Sequence, residues 1–381
     1  MAWVEADRAP VAKTRQPANQ ENKYYVATQF QLMWWKFKKH KLALIGAAVL
    51  AVFLLISLTA EFLSPNTPYT PDADYLFGSP QIIRFIDAQG NLHLRPFIYA
   101  ARGTRNPVTF RITYEEDTSQ RLPVRFFVHG DPYSFWGLFS SDIHLFGLEK
   151  GTVHLMGADD LGRDVFSRVV YGTRISLSIG VIGVLLSFVL GLLLGGVSGY
   201  AGGWVDNVIQ RFTEFIRSIP SLPLWMALSA SLPRDWSGLQ VYFAITIILG
   251  FLGWTSLARR VRSKLLSLRE EDYVMAARIA GCTDSRIISR HMLPSFLSYL
   301  IVDLTVAFPN MILGETALSF IGLGLRPPIV SWGVLLQSAQ NIQTIAMHPW
   351  LLTPVAFVIL AVLAFSFVGD GLRDAADPYA R

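Results

Sequence analysis

The chain has little charge and almost no cysteine. Only 16% of its 381 residues are Asp, Glu, Lys or Arg, against roughly 25% in an ordinary soluble domain. The single cysteine, Cys282, excludes an intrachain disulfide and supplies neither a zinc site nor a redox pair. No GxxxxGK[ST] phosphate loop occurs, so the chain does not bind ATP by that mechanism. Nucleophile elbow, HExxH pair and Cys/His cluster are missing too. The seven histidines (His40, His93, His129, His144, His154, His291 and His348) show no paired ligand spacing. These absences argue against an enzyme, against a metal site and against any catalytic residue. Tandem repeats are also absent.

What is present is apolar residue, 52% of the chain, and it is clumped. Charge-free runs cover 42–60, 175–205, 218–233 and 236–258, with further apolar stretches at 292–325 and 349–369. A bilayer-spanning helix needs about 20 apolar residues, so 42–63, 175–200 and 237–258 qualify outright. The run 212–232 is interrupted by Pro220 and Pro223, 295–321 carries Asp303 and Glu315, and 349–370 is clean. The expected fold class is therefore an all-α membrane protein with six transmembrane helices. The first span lies behind 41 mostly polar and basic residues and lacks a small-residue cleavage site, so it is not read as a signal peptide.

Charge sets the expected orientation. Residues 1–41 carry eight Lys and Arg, with Lys36, Lys38, Lys39 and Lys41 directly before the first span and Trp34 and Trp35 beside them. Basic flanks stay on the cytoplasmic side and Trp sits at the interface. Both termini and the stretch 259–294, which holds eight more Lys and Arg, are then expected inside. The pI near 9.3 follows from that topology, and no nucleic acid partner is needed to explain it. The division read from the sequence is a basic tail over 1–41, disordered over its first two dozen residues, and a first span over 42–63. An extracytoplasmic insertion over 64–153 and a core over 154–381 follow. Within the insertion, QIIRFIDAQGNLHL and VTFRITY alternate with period two, which predicts a small β-rich element over 75–130 with a hairpin turn at Gln89 and Gly90.

The segment YVMAARIAGCTDSRIISRHMLP (273–294) interrupts the apolar core with charge and small residues. Ala276 and Ala280 stand four apart, as do Ala277 and Gly281, so each pair shares a helix face on which another backbone can approach. Gly281 is expected to end that helix in a left-handed conformation. Thr283 or Asp284 can cap a second short helix, and Pro294 opens the next span. The expectation is a helix–turn–helix elbow on the cytoplasmic face; an ordinary connecting loop is the alternative.

This pattern resembles the cytoplasmic coupling loop of ABC importer permeases, whose signature is Glu-Ala-Ala, three residues, Gly, nine residues, then apolar-x-Leu-Pro. Ala276, Ala277, Gly281, Leu293 and Pro294 stand at those spacings; Met275 replaces the usual Glu and His291 an apolar residue. MGADDLGRDVFSRVVYGTRISL (156–177), GYAGGWVDNVIQRFTEFIRSIPSLPL (199–224), LSFIGLGLRPPIVSWGVLL (318–336) and GDGLRDAADP (369–378) are similar to the oligopeptide/dipeptide/nickel-type members. They match best the second permease of each pair, which has an extended N-terminus. The resemblance covers roughly 30–63 and 154–381. It implies a bacterial inner-membrane importer subunit that translocates a small solute, oligopeptide or dipeptide first, with opines, oligosaccharides or a nickel chelate as alternatives.

The implied partners are a homologous second permease, two ATP-binding subunits that hold ATP and Mg, a periplasmic binding protein and membrane lipid. No cofactor is implied for this chain. The ATPase-coupling residues carried over are Met275, Ala276, Ala277, Gly281, Arg286, Arg290, His291, Leu293 and Pro294. The insertion is longer than the usual member has, and contact with the binding protein is the favoured role for it.

Four other features need a reading. Asp159, Asp160 and Asp164 lie close together, and Asp159 or Asp160 as a helix N-cap explains the cluster better than calcium. An amphipathic interfacial helix is expected over 161–174. Pro220 and Pro223 must break or bend the third span, which marks either a substrate route or a tolerated kink. Glu315 sits at membrane depth among small residues, as a buried polar tie first and a pathway-lining group second. Pro327, Pro328 and Trp332 on the outer side are candidates for contact with a binding protein, with a plain structural turn as the alternative. A signalling receptor and a membrane-embedded hydrolase are the competing classes. The first lacks a cytoplasmic output domain, and the second needs His291 to meet Glu315.

Overall fold

A computed structural model describes residues 28–376 apart from 106, 108–111 and 150. The disorder expected at the start of the chain, the first half of VTFRITY and the end of GDGLRDAADP lie outside the described residues.

The chain enters through α1 (Gln29–Phe37), whose N-terminus is closed by a Thr28–Gln31 capping box. The first long apolar helix, α2 (Lys41–Leu58), follows, and one short turn, α3 (Ala60–Leu63), ends it. After the insertion come α4 (Val165–Ala201), α5 (Gly203–Ser218), α6 (Ser221–Ala230) and α7 (Gly238–Leu268). The elbow, beginning with α8 (Asp272–Ile279), leads into α9 (Leu297–Phe320). The chain closes with α10 (Trp332–Gln337), α11 (Ile342–Met347) and α12 (Thr353–Ala376).

Among the described residues, five stretches are long and apolar enough to cross a membrane: Lys41–Leu58, Val165–Ala201, Gly238–Leu268, Asp284–Phe320 and Pro349–Ala376. The span expected at 212–232 is the exception. Pro220 cannot donate a backbone hydrogen bond, so the helix ends at Ser218 and resumes as the ten-residue α6. Ten residues rise about 15 Å, half of a hydrocarbon core. Among the described residues, five of the six expected spans are full-length apolar helices and the sixth is a broken pair.

The helix expected over 161–174 is corrected as well. It is continuous with the second span as α4, and the residue that caps it is Asp164, which accepts from the Phe166 and Ser167 backbone N–H groups. Asp159 instead accepts from the Leu161 and Arg163 backbones and pairs with Arg163 and Arg168. Asp160 is exposed beside Arg163.

The insertion is β-rich, though displaced toward the C-terminus of the expected range. Strands β1 (Arg84–Ile86), β2 (Leu92–Arg105) and β3 (Ile112–Pro123) form an antiparallel sheet in that order. Strands β4 (Arg125–Phe135) and β5 (Phe139–Gly147) form a separate hairpin. The turn at Gln89 and Gly90 is held by Asp87, which accepts from the Gln89 and Asn91 backbones and from His93 and Arg121. The His93 hydrogen bond, with these backbone donors, holds the Asp87 carboxyl well below the usual carboxylate range. A small core of Ile98, Val124, Leu148 and Val153 joins both sheets. His154 lies at the base, stacked on Tyr75 at 4.5 Å; burial pushes its imidazole down to about 4, so it is neutral at ordinary pH.

Close approach of α4 to α7 forms the centre of the helical body. Gly191, Gly195 and Gly199 line one side of α4, and a Cβ on Gly195 would lie 2.5 Å from the Ala258 carbonyl oxygen. Small residues are what allow two backbones to meet inside a bilayer, where no hydrophobic force draws helices together.

Candidate functional site

The elbow has the geometry its residues require. α8 runs to Ile279, and Gly281 follows at φ +76°, a left-handed position open to a residue without Cβ. Beyond it the chain winds irregularly: one α-turn, a wide turn over Ile287–Met292 and a tight turn over Leu293–Phe296. Thr283 stands at the start of this limb without a side-chain cap, which differs from the expected second helix. Pro294 lies in the tight turn, where its missing N–H breaks no ladder.

One face of the elbow is packed and the other is free. Val274, Ala277, Ile287, Met292 and Phe296 are buried against Leu257, Val261, Leu265 and Leu268 of α7. The Tyr200 hydroxyl at the end of α4 donates to Asp284 at 2.6 Å and receives a hydrogen bond from Arg278. The elbow is thus packed on α7 and hydrogen-bonded to the end of α4.

Of the sequence candidates, Met275, Ala276, Gly281, Arg286, Arg290 and Pro294 are exposed, while His291 and Leu293 are half-buried. Ala277 turns inward, so the small face is Ala276, Ala280 and Gly281 rather than both expected pairs. Sequence reasoning missed Ile279, which is 85% exposed beside that face. Its signal was an apolar residue on a helix that buries the opposite side.

A cavity of about 890 Å3 opens among α6, α7 and α9. Pro220 stands at its wall with Trp225, Asn310 and Met311. At its charged end Arg260 and Asp303 form an ion pair of 2.6 Å, so Asp303 meets the beginning of the basic stretch. Glu315 is not among the lining residues. It is fully buried behind them and accepts from the Ser319, Ser331 and Ser176 hydroxyls at 2.8, 2.7 and 3.4 Å. The carboxylate thus ties α9 to α4 and to the turn before α10, which corresponds to the polar-tie reading. His291 lies in the elbow's wide turn before α9, and Glu315's hydrogen bonds go to the three serines instead.

Between α9 and α10, Pro327 and Pro328 are exposed, and the bond between them is cis. Trp332 is corrected from surface candidate to core residue: it is fully buried, packs on Phe53 and Phe357, and donates to the Val169 carbonyl. Its neighbour Ser331 both caps α10 and reaches Glu315.

Long apolar helices around a cavity, with a rigidly attached elbow at one end, define a membrane transport component. The model of the family described as "Binding-protein-dependent transport system inner membrane component" matches residues 187–381, and that of the "N-terminal TM domain of oligopeptide transport permease C" matches residues 28–80. The chain belongs to the family of binding-protein-dependent transport system inner membrane components. The dipeptide transport system permease protein DppC of Lactococcus lactis subsp. cremoris is 31% identical over 357 residues, covering 92% of this chain and 91% of that protein. The oligopeptide transport system permease protein OppC of Bacillus subtilis is 37% identical over 229 residues, covering 60% and 72%. Among solved structures, a chain of the MetNI methionine ABC transporter in an inward-facing conformation aligns at 20% identity and TM-score 0.45, over 55% of this chain and 97% of that one.

Proposed function

We propose that the chain is the second permease of a peptide importer of the inner membrane and that the exposed elbow face is its socket contact with an ATP-binding subunit. The observation that carries this reading is the elbow itself: a small-residue face left open on one side and fastened to α4 and α7 on the other. Closure of the ATP-binding subunits would move the elbow as a body, and α7 and α9 would transmit that motion to the cavity walls. ATP and Mg belong to those separate subunits. Peptide as substrate rests on the relatives' names, OppC and DppC.

In this reading the broken pair α5–α6 completes a sixth crossing, with the break at Pro220 facing the cavity. Both termini lie in the cytoplasm, the chain divides at 41, 63 and 153, and a homologous permease faces the cavity's open side. The exposed Pro327 and Pro328, with the outer sheet of the insertion, receive the periplasmic binding protein.

Affinity purification of the tagged chain from native membranes after gentle crosslinking tests the whole set. Recovery of a second permease, ATP-binding subunits and a peptide-loaded binding protein is the expected result. A non-peptide ligand overturns the substrate, and absence of any ATP-binding subunit overturns the coupling role.

A further inference from the structure

The β4–β5 hairpin ends in Phe135-Trp136-Gly137-Leu138-Phe139, an apolar tip flanked by Ser134, Ser140, Ser141 and Asp142, with Phe126 and Phe127 exposed nearer the base. Leu138 is 80% exposed, Phe139 57% and Trp136 49%. The hairpin does not project away from the helices. The Trp136 indole donates to the carbonyl of Leu58, the last residue of the first span, at 2.9 Å. Its ring also lies 4.2 Å from the guanidinium of Arg174, which forks onto Glu61 at 2.5 and 2.6 Å and donates to the Ser57 carbonyl.

Arg174 is nine residues into α4, about 13 Å below the start of that helix at the usual 1.5 Å rise. The tip has therefore folded back along the two spans, down to the level where the apolar part of the first one ends. Leu54, Leu55 and Leu58 at this end of α2 are all exposed.

We propose that the tip of the β4–β5 hairpin is seated in the outer leaflet of the bilayer and anchors the extracytoplasmic insertion to lipid. Three features fit this occupant together. The turn exposes Trp136, Leu138 and Phe139, the end of the first span beside it exposes Leu54, Leu55 and Leu58, and an indole sits at that helix end with its N–H satisfied. Trp at the junction of apolar span and polar domain is the usual interfacial anchor. Trp136 covers the half-buried Arg174–Glu61 pair, so anchoring in lipid also shields an ion pair at the same depth. The inference goes beyond the transport reading and does not depend on what the elbow docks.

Nitroxide depth measurements on the assembled transporter in lipid nanodiscs test it. In a Cys282→Ser background, labels are placed at Leu138→Cys, at Phe139→Cys as a second reading of the tip, and at Ser119→Cys on the exposed part of β3. Oxygen collisions exceeding those of a water-soluble nickel complex several-fold at 138 and 139, with the reverse at 119, are expected. Nickel access at the tip equal to that at 119 puts the tip in water and overturns the proposal. Suppression of both collision partners at the tip overturns it too, since a protein surface, such as a second permease, then covers those residues.

Discussion

Glu315 is fully buried, with three serine hydroxyls turned toward it from three parts of the chain. Removing the acceptor leaves those donors stranded, which costs about 1–3 kcal/mol for a buried unsatisfied group. Glu315→Leu is expected to lower the thermal midpoint of the purified complex well below that of Glu315→Gln, which keeps one carbonyl acceptor. Equal midpoints would show that the hydroxyls do not depend on the carboxylate. A second residue-scale prediction concerns Asp206, which accepts a fork from Arg262 at 2.5 Å and a hydrogen bond from Ser198. The Arg262 hydrogen bonds depress its pKa below the ordinary 3.8. The carboxyl therefore stays ionised to lower pH in the folded chain than in the unfolded one. Its contribution is complete above 3.8 and fades as pH falls through the depressed value. Thermal midpoints of wild type and Asp206→Asn should differ by a constant amount near neutrality and converge in acid. A gap that persists at low pH would mean that the pair acts by shape rather than charge.

Elements act here through surfaces of unequal kind. The elbow's Ala276 is exposed and its neighbour Ala277 is not, so the same bulky substitution separates docking from folding. Ala276→Trp is expected to cut uptake at least tenfold while leaving expression and thermal midpoint unchanged. Ala277→Trp should lower the midpoint as well, because its ring must enter the cluster against α7. Wild-type uptake by Ala276→Trp at normal expression would end the docking assignment. The α4–α7 contact gives a sharper pair. A Cβ at Gly195 meets backbone at 2.5 Å, whereas at Gly196 the nearest atom is the Leu265 Cδ1 at 4.0 Å. Gly195→Val is expected to destabilise by at least the roughly 1–3 kcal/mol of an overpacked core, and Gly196→Val to be nearly silent. Size-exclusion profiles and melting midpoints of the two variants read the difference directly.

At the scale of the whole molecule, the helical body, the elbow and the insertion are three pieces joined through α4. Its N-terminal end carries the Asp164 cap and the Arg174–Glu61 pair under the hairpin, and its C-terminal end holds Tyr200 on the elbow. The helix that meets the elbow is thus the one that also bears the insertion. Uptake by the assembled transporter in sealed vesicles is expected to fall several-fold on Tyr200→Phe, which frees the elbow from α4 without removing its apolar packing. Unchanged uptake would place the coupling wholly in α7 and α9.

Residue type and spacing alone determined the membrane class, the apolar stretches, the elbow with its Gly281 turn and the break at Pro220, because each follows from local physics. Burial of about 20 apolar residues, a left-handed turn and a missing N–H need no knowledge of neighbours. The sheet in the insertion was legible by alternation, but its second hairpin was not. In FVHGDPYSFWGLFSSD the polar and apolar residues follow no strict period two, because the strand shifts register between His129 and Tyr133 and its tip turns toward the first span.

Only the tertiary structure decided that Asp164 rather than Asp159 caps α4, that Trp332 and Ala277 face inward, and that Glu315 is tied to three serines. For Trp332 and Glu315 the reason is that each meets a partner brought from far along the chain. For Trp332 that partner is Phe53, and for Glu315 it is Ser176. No local pattern encodes such a meeting, because helix packing sets the distance between residues that lie more than a hundred positions apart.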